Sequence, residues 1–275
     1  MRARRRKQVG LYVAAAIIVV LMGFPLYGVV LTSIQPESVI RSPDLNLLPT
    51  DLDFSHYAAL FTPGHIVPLI PAIANSMVVA LTAAFLGAAL AVPAAYALFR
   101  TRVPGGRLMM GALGAVYVFP TLLFIIPLYI MWVNLGLFDS RIGLIIPYTA
   151  FVLPIMIFIM GTFVRSVPME VEEAARLDGA GTIQILTRIY LPMMRPGIFA
   201  VLILGFILSW VEFTTPLLFT SQLDIMTVAL GLFRSSFDIR IGQLAAAAVV
   251  TALPVVVVTA VFQRRIVEVL TGAHR

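Results

Sequence analysis

The chain reads as an all-α membrane protein: six transmembrane helices, with a short cytoplasmic helical hairpin between the fourth and the fifth. Three observations predict this. Its 275 residues are 60% hydrophobic and only 12% charged, with a mean hydropathy of +1.01, well outside the range of soluble domains. Apolar runs longer than ~18 residues recur, the length that crosses a bilayer core. Fifteen of the nineteen Lys and Arg residues fall in alternate connections, the asymmetry that sets orientation in a membrane.

The spans lie at about 11–33, 71–99, 108–133, 142–165, 197–220 and 241–262 of a single membrane domain, residues 1–275. Before the first comes the basic tail Arg2, Arg4, Arg5, Arg6 and Lys7. The apolar run from Leu11 to Leu31 exceeds the ~7–15 residues of a signal-peptide core, and no small-residue cleavage site follows it, so it reads as a retained span. The same side of the membrane then receives Arg100, Arg102 and Arg107; Arg165, Arg176, Arg188 and Arg195; and Arg264, Arg265 and Arg275, whereas the opposite side has Arg41, Arg141, Arg234 and Arg240. Both termini and the polar segment 166–196 are therefore expected in the cytoplasm, in a multi-pass protein of a bacterial cytoplasmic membrane. The net charge of +6 follows from this asymmetry. No basic face with interleaved aromatics points to nucleic acid.

The outer segment 34–70 is rich in proline and holds one candidate surface helix, Phe54–Phe61, with Tyr57, Leu60 and Phe61 as its apolar side. His56 and His65 are too far apart in it for one helical metal face, and no metal is expected. Each span carries an internal proline: Pro25, Pro93, Pro120 with Pro127, Pro147 with Pro154, Pro216 and Pro254. Proline bends a helix and frees a carbonyl, which lipid tolerates when neighbours or a watery cavity satisfy it. Ala84, Gly87, Ala88 and Ala91 on the second span allow close helix packing.

Residues 168–196, PMEVEEAARLDGAGTIQILTRIYLPMMRP, form a polar island in this hydrocarbon. Ser166 and Pro168 are suited to start a helix. Glu170, Glu172 and Glu173 place negative charge in its first turns, where the helix dipole favours it. Gly179 and Gly181 end it, and a second short helix runs from Thr182 to about Tyr190, where Pro192 stops it. Ile183, Leu186 and Ile189 with Tyr190 make an apolar stripe. Such a hairpin either sits in a groove on a partner or packs back on its own bundle.

Glu212, in SWVEFTTPLLF, is the one carboxylate inside a span. At that depth an ionisable group normally faces the bundle interior or a cavity, and Ser209, Trp210, Thr214 and Thr215 make its surroundings polar. Asn75, Ser76, Tyr129, Trp132 and Asn134 are further polar positions near the outer half; Tyr and Trp there also serve as interface anchors. Asn75, Tyr129, Trp132, Trp210 and Glu212 are the candidates to line a substrate path. The chain carries no energy source of its own. Its single lysine, Lys7, lies in the tail, so no phosphate-cradling G-x-x-x-x-G-K-[ST] loop exists. A proton-coupled pump would place several ionisable groups in its spans.

The island fits the pattern E-A-A-x3-G-x9-I-x-L-P at every fixed position: Glu173-Ala174-Ala175, Gly179, Ile189 and Leu191-Pro192. In this the chain resembles the inner-membrane permease subunits of ABC importers that depend on a solute-binding protein. Residues 73–100, 125–148, 153–181 and 262–273, with FSHYAALF in the outer loop, look like the carbohydrate branch, in particular the second six-helix permease of maltose-type systems. The resemblance implies that the hairpin is a coupling helix. Glu173, Ala174, Ala175, Asp178, Gly179, Ile189 and Pro192 would serve ATPase coupling, with Glu173 pairing a basic residue of a cytoplasmic ATPase. It also implies a second permease subunit as partner in a heterodimer, two ATPase copies holding ATP and Mg, an extracytoplasmic solute-binding protein and no cofactor in this chain. The chain would be a translocation subunit and not an enzyme. Where relatives often have Asn before the acidic residue of the fifth span, this chain has Val211, and its tail ends at His274-Arg275. A phosphate-bearing cargo such as glycerol-phosphate would want Arg or Lys in the path, and none lies inside a span. The same machinery could carry a polyamine, and an ATP-independent secondary carrier is the rival of a different class.

Overall fold

In the computed structural model, residues 2–44, 46–49, 51–62, 68–101, 103–118, 121–232 and 240–271 are described. His65, Pro120 and the tail after Thr271 lie outside them. Every regular element among these residues is helical: α1 (Arg2–Ser33), α2 (Glu37–Ile40), α3 (Ser55–Leu60), α4 (Leu69–Arg100), α5 (Gly106–Val118), α6 (Thr121–Asn134), α7 (Arg141–Ser166), α8 (Met169–Leu177) and α9 (Thr182–Ile185). A π-helical turn (Leu186–Tyr190) follows, then α10 (Leu191–Met193), α11 (Arg195–Trp210), α12 (Thr214–Phe219), α13 (Met226–Leu232) and α14 (Ile241–Thr271). Among the described residues, four helices are long and apolar enough to cross a membrane: Gly10–Ser33, Leu69–Arg100, Arg141–Ser166 and Ile241–Phe262.

Residues 108–133 hold α5 and α6, with 119 and 120 outside the described residues. Residues 197–220 are broken between Trp210 and Thr214, because the Glu212 carboxylate takes the Thr214 and Thr215 amides that a continuous helix would bond.

The chain forms two compact units, Met1–Ile70 with Ala229–Leu253, and Pro71–Val228 with Pro254–Arg275. In the first, the Gly10–Ser33 part of α1 exposes apolar side chains, its most apolar window having no buried residue. Glu37 accepts the Ile241 and Gly242 amides at the start of α14 and pairs with Arg41 at 3.0 Å. In helix α3 the expected Leu60 is buried and Tyr57 is half-buried, but Phe61 is exposed and His56 is buried instead, its Nε2 2.9 Å from the Gln35 carbonyl.

In the second unit, α4, α7 and α11 cross on small residues. Met156 of α7 is fully buried where Gly87 and Gly205 make room for it: a Cβ at Gly205 would lie 1.9 Å from Met156 Cε, and one at Gly87 would lie 2.7 Å from its Sδ. Ala88, Ala91, Val92, Ala95 and Tyr96 of α4 meet Val152, Ile157, Met160, Phe163 and Val164 of α7 in one core. Ile185, Tyr190 and Met194 join the same core, so the hairpin is an integral part of this unit.

Candidate functional site

The hairpin begins after α7. Ser166 is the last residue of that helix and donates to the Phe163 carbonyl; it does not cap α8, and Pro168 occupies that position. Helix α8 ends in a Schellman motif. Gly179 has φ +82°, the left-handed conformation that favours glycine, and the Ala180 and Gly179 amides bond the Ala175 and Arg176 carbonyls at 2.9 and 3.1 Å. Gln184 Oε1 then receives the Gly181 amide at 3.2 Å and α9 starts. Pro192 does not stop this second helix. The wide π turn just before it takes up the hydrogen bond that the proline ring and its missing N–H remove, and the segment continues to Met193 before bending 76° into α11.

The two adjacent carboxylates of α8 have opposite surroundings. Glu173 is exposed, as are Ala174, Asp178 and Gly179. Leu177 and Ile183, at 89% and 78% exposure, stand with them on the outer side. Beside this surface lies a groove of about 400 Å³ lined by Asp178, Gly179, Ala180, Gln184, Arg188 and Ile189. Ala175 and Ile189 turn inward against the core, and Pro192 is exposed.

Glu172 is buried. Its Oε2 receives Tyr190 Oη at 2.6 Å and Arg100 Nε at 2.9 Å, and its Oε1 receives Arg176 Nη2 at 2.8 Å and Tyr96 Oη at 3.3 Å. Arg100 also donates to the Val167 carbonyl at 3.2 Å and lies over the Tyr190 ring, 5.6 Å from its centre. One carboxylate thus ties the end of α4, the end of α7, α8 and the π turn together. Burial would push the Glu172 carboxyl up, but hydrogen bonds from Tyr190, Arg100 and Arg176 outweigh it and hold the group down at about 2. Tyr190 is pushed up by burial and by the Glu172 charge it faces. Buried charges need this degree of pairing to persist.

Sequence reasoning misses this cluster, because it takes Glu170, Glu172 and Glu173 together as charges favoured by the dipole. The signal lies in the spacing. Glu172 and the inward Ala175 are three apart, whereas Glu173 and the exposed Leu177 are four apart, so the two acids face different sides.

At the far end of the same unit, Tyr129 and Trp132 both pack near Phe219, ring centres 6.3 and 6.1 Å away, and the other candidates for a path have partners of their own. Asn75 Nδ2 donates to the Asp224 carbonyl at 2.9 Å, and its Oδ1 accepts from Arg141 at 2.7 Å. Asp139 accepts the Ser221, Gln222 and Leu223 amides at 2.8–3.0 Å; those amides outweigh its burial and hold its carboxyl below the usual range. Both residues therefore fasten segment 221–225. Trp132 is buried and donates Nε1 to the Gly143 carbonyl at 2.6 Å. Tyr129 is 40% exposed and meets Phe138 edge-on. Trp210 packs on Phe206, ring centres 5.7 Å apart. Glu212 Oε1 receives the Thr215 amide and hydroxyl at 2.8 and 2.7 Å, and Oε2 the Thr214 amide at 3.1 Å, so it caps α12.

Several helices are long and apolar enough to cross a membrane, and the hairpin packed on them turns an exposed acid, Glu173, outward beside Leu177 and Ile183. The family described as binding-protein-dependent transport system inner membrane component matches residues 87–269, and the chain belongs to it. Among its relatives, the diacetylchitobiose uptake system permease protein NgcG of Streptomyces coelicolor is 38% identical over 88% of this chain and 80% of that protein. The trehalose transport system permease protein SugB of Mycobacterium tuberculosis is 34% identical over 90% of each. In fold the chain is similar to a subunit in the crystal structure of a bacterial ABC transporter involved in the import of the acidic polysaccharide alginate, with a TM-score of 0.78, 24% identity and coverage of 96% of this chain and 98% of that one.

Proposed function

We propose that this chain is the permease subunit of an ATP-driven importer and forms, with a second permease, the path by which a sugar or oligosaccharide enters the cytoplasm of a bacterium. It crosses the cytoplasmic membrane six times, with α5 and α6 as one crossing and α11 with α12 as another, and both termini and the hairpin are cytoplasmic. Two copies of an ATPase hold ATP and Mg; an extracytoplasmic binding protein delivers the cargo; the chain itself carries out no hydrolysis. The observation that carries this reading is the hairpin. It offers an exposed acid, Glu173, beside exposed Leu177 and Ile183, on a support fixed by the buried Glu172 cluster. An apolar contact with a charged neighbour is suited to a partner groove, and a rigid mount lets the partner's movement reach α4, α7 and α11. Diacetylchitobiose and trehalose in the relatives' names support a carbohydrate cargo. Ala174, Ala175, Asp178, Gly179, Ile189 and Pro192 shape the contact, and Asn75, Tyr129, Trp132, Trp210 and Glu212 belong to the path or its walls.

The test is co-purification of the chain with its bound polypeptides, followed by uptake of diacetylchitobiose and trehalose into proteoliposomes that hold the assembled complex. Uptake that needs both ATP and the binding protein is expected. Uptake by this chain alone without ATP would contradict the reading.

A further inference from the structure

Between α7 and α11 lies a cavity of about 160 Å³ lined by Tyr148, Phe151, Val152, Leu208, Ser209 and Glu212. A water molecule in the liquid takes up about 30 Å³, so the space admits a larger group. The cavity has the make-up of a small-molecule site, mostly apolar and aromatic walls with a few converging polar atoms. Ser209 is 4% exposed, and its Oγ is the one buried side-chain oxygen or nitrogen among the described residues without a hydrogen-bond partner. A hydroxyl in that condition is costly and is rare enough to ask for an occupant. Glu212 Oε2 accepts a single bond, from Thr214, so it has acceptor capacity left. Ser209 lies fourteen residues along α11 from Arg195, about 21 Å at the rise of an α-helix, at the end of that helix away from the hairpin.

We infer that this cavity is a hydroxyl-recognising subsite for the transported carbohydrate. Ser209 Oγ and Glu212 Oε2 hydrogen-bond sugar hydroxyls, and the Tyr148 and Phe151 side chains supply aromatic wall against the sugar's C–H groups. A hydroxyl both donates and accepts, so it satisfies Ser209 and the spare lone pair of Glu212 together; an aliphatic cargo satisfies neither. The inference rests on the carbohydrate-importer reading and adds a site within this chain to it.

The natural chain has no cysteine, so Ser209→Cys creates a unique thiol in it. The complete transporter with this variant is treated with a small thiol reagent, with and without saturating trehalose or diacetylchitobiose, whichever the wild-type complex takes up. The thiol is expected to react, and the transported sugar is expected to slow the reaction at least about fivefold, as occupancy near 80% requires. A second variant, Ser209→Ala, removes the hydroxyl with little change in volume. Its uptake is expected to fall about three- to tenfold, the worth of one hydrogen bond, with co-purification of the partners at the wild-type level. A thiol that the reagent cannot reach, as when a helix of the second permease covers it, would overturn the subsite, as would a rate indifferent to a sugar that the same vesicles import. Should the wild-type complex import neither sugar nor any further carbohydrate, the broader reading falls and the subsite with it.

Discussion

The two ends of the α4–α7–α11 unit each hold a carboxylate, and they hold it differently. At the hairpin end, Glu172 receives donors from α4, from the π turn and from its own helix, so nothing there is left to bind. At the opposite end, the Glu212 carboxylate accepts only from residues within three positions of itself, and the neighbouring Ser209 hydroxyl has no partner. A charge bonded to several elements locks them into one body. A charge bonded only to its own loop ends a helix and leaves polar capacity facing a cavity. The first arrangement suits transmission of force, the second recognition of a passing solute.

The strongest way to break this contrast is Glu172→Leu. It leaves Arg100, largely buried beside the core, without its acid, and loss of one partner of a buried pair costs roughly 3–5 kcal/mol. Hydrogen exchange should show amide protection lost over residues 169–194, with the bundle helices unchanged; protection that survives would mean the cluster does not hold the hairpin. Tyr190→Phe removes one charge-assisted hydrogen bond, worth about 1.5–3 kcal/mol, and should weaken the same protection less. Glu212→Ala removes a helix cap, about 1 kcal/mol, together with the acceptor offered to a sugar hydroxyl. It should lower uptake without releasing the ATPases, as measured by co-purification; full uptake would make Glu212 a cap and nothing more.

Acid gives a graded form of the same test. The Glu172 carboxyl is held at about 2, below its value in an unfolded chain of ~4.3. Its contribution is therefore complete above that unfolded value and is lost as pH falls toward the folded one. Hairpin protection should be unchanged from pH 7 to about pH 5, decline below about pH 4 and vanish near pH 2. Glu172→Gln should flatten that dependence.

Much of the architecture is legible in the sequence, since hydrocarbon length and charge asymmetry are coarse signals. The helices with the highest hydropathy fall where the apolar runs are, and Gly179 forms the turn its position in the motif implies. What is not legible depends on contacts far apart in the chain. Tyr96 and Glu172 are 76 residues apart, and no local pattern marks that bond. The break at Val211–Phe213 is hidden because Glu212 reads as a group for the path before it reads as a cap. The contacts of Asn75 and Trp132, to the Asp224 and Gly143 carbonyls, are likewise not legible, because polar and amphipathic side chains at span ends serve several roles.

The most direct test of the central claim, that a firmly mounted hairpin conveys work from a separate ATPase, is the ratio of ATP hydrolysed to solute imported in proteoliposomes carrying Glu173→Lys. Glu173 is exposed and outside the Glu172 cluster, so the variant should insert and fold as the wild type does. Reversing the charge in a groove contact costs about 2–5 kcal/mol, so the ratio should rise by tenfold or more while hydrolysis continues. A ratio equal to that of the wild type would contradict the account.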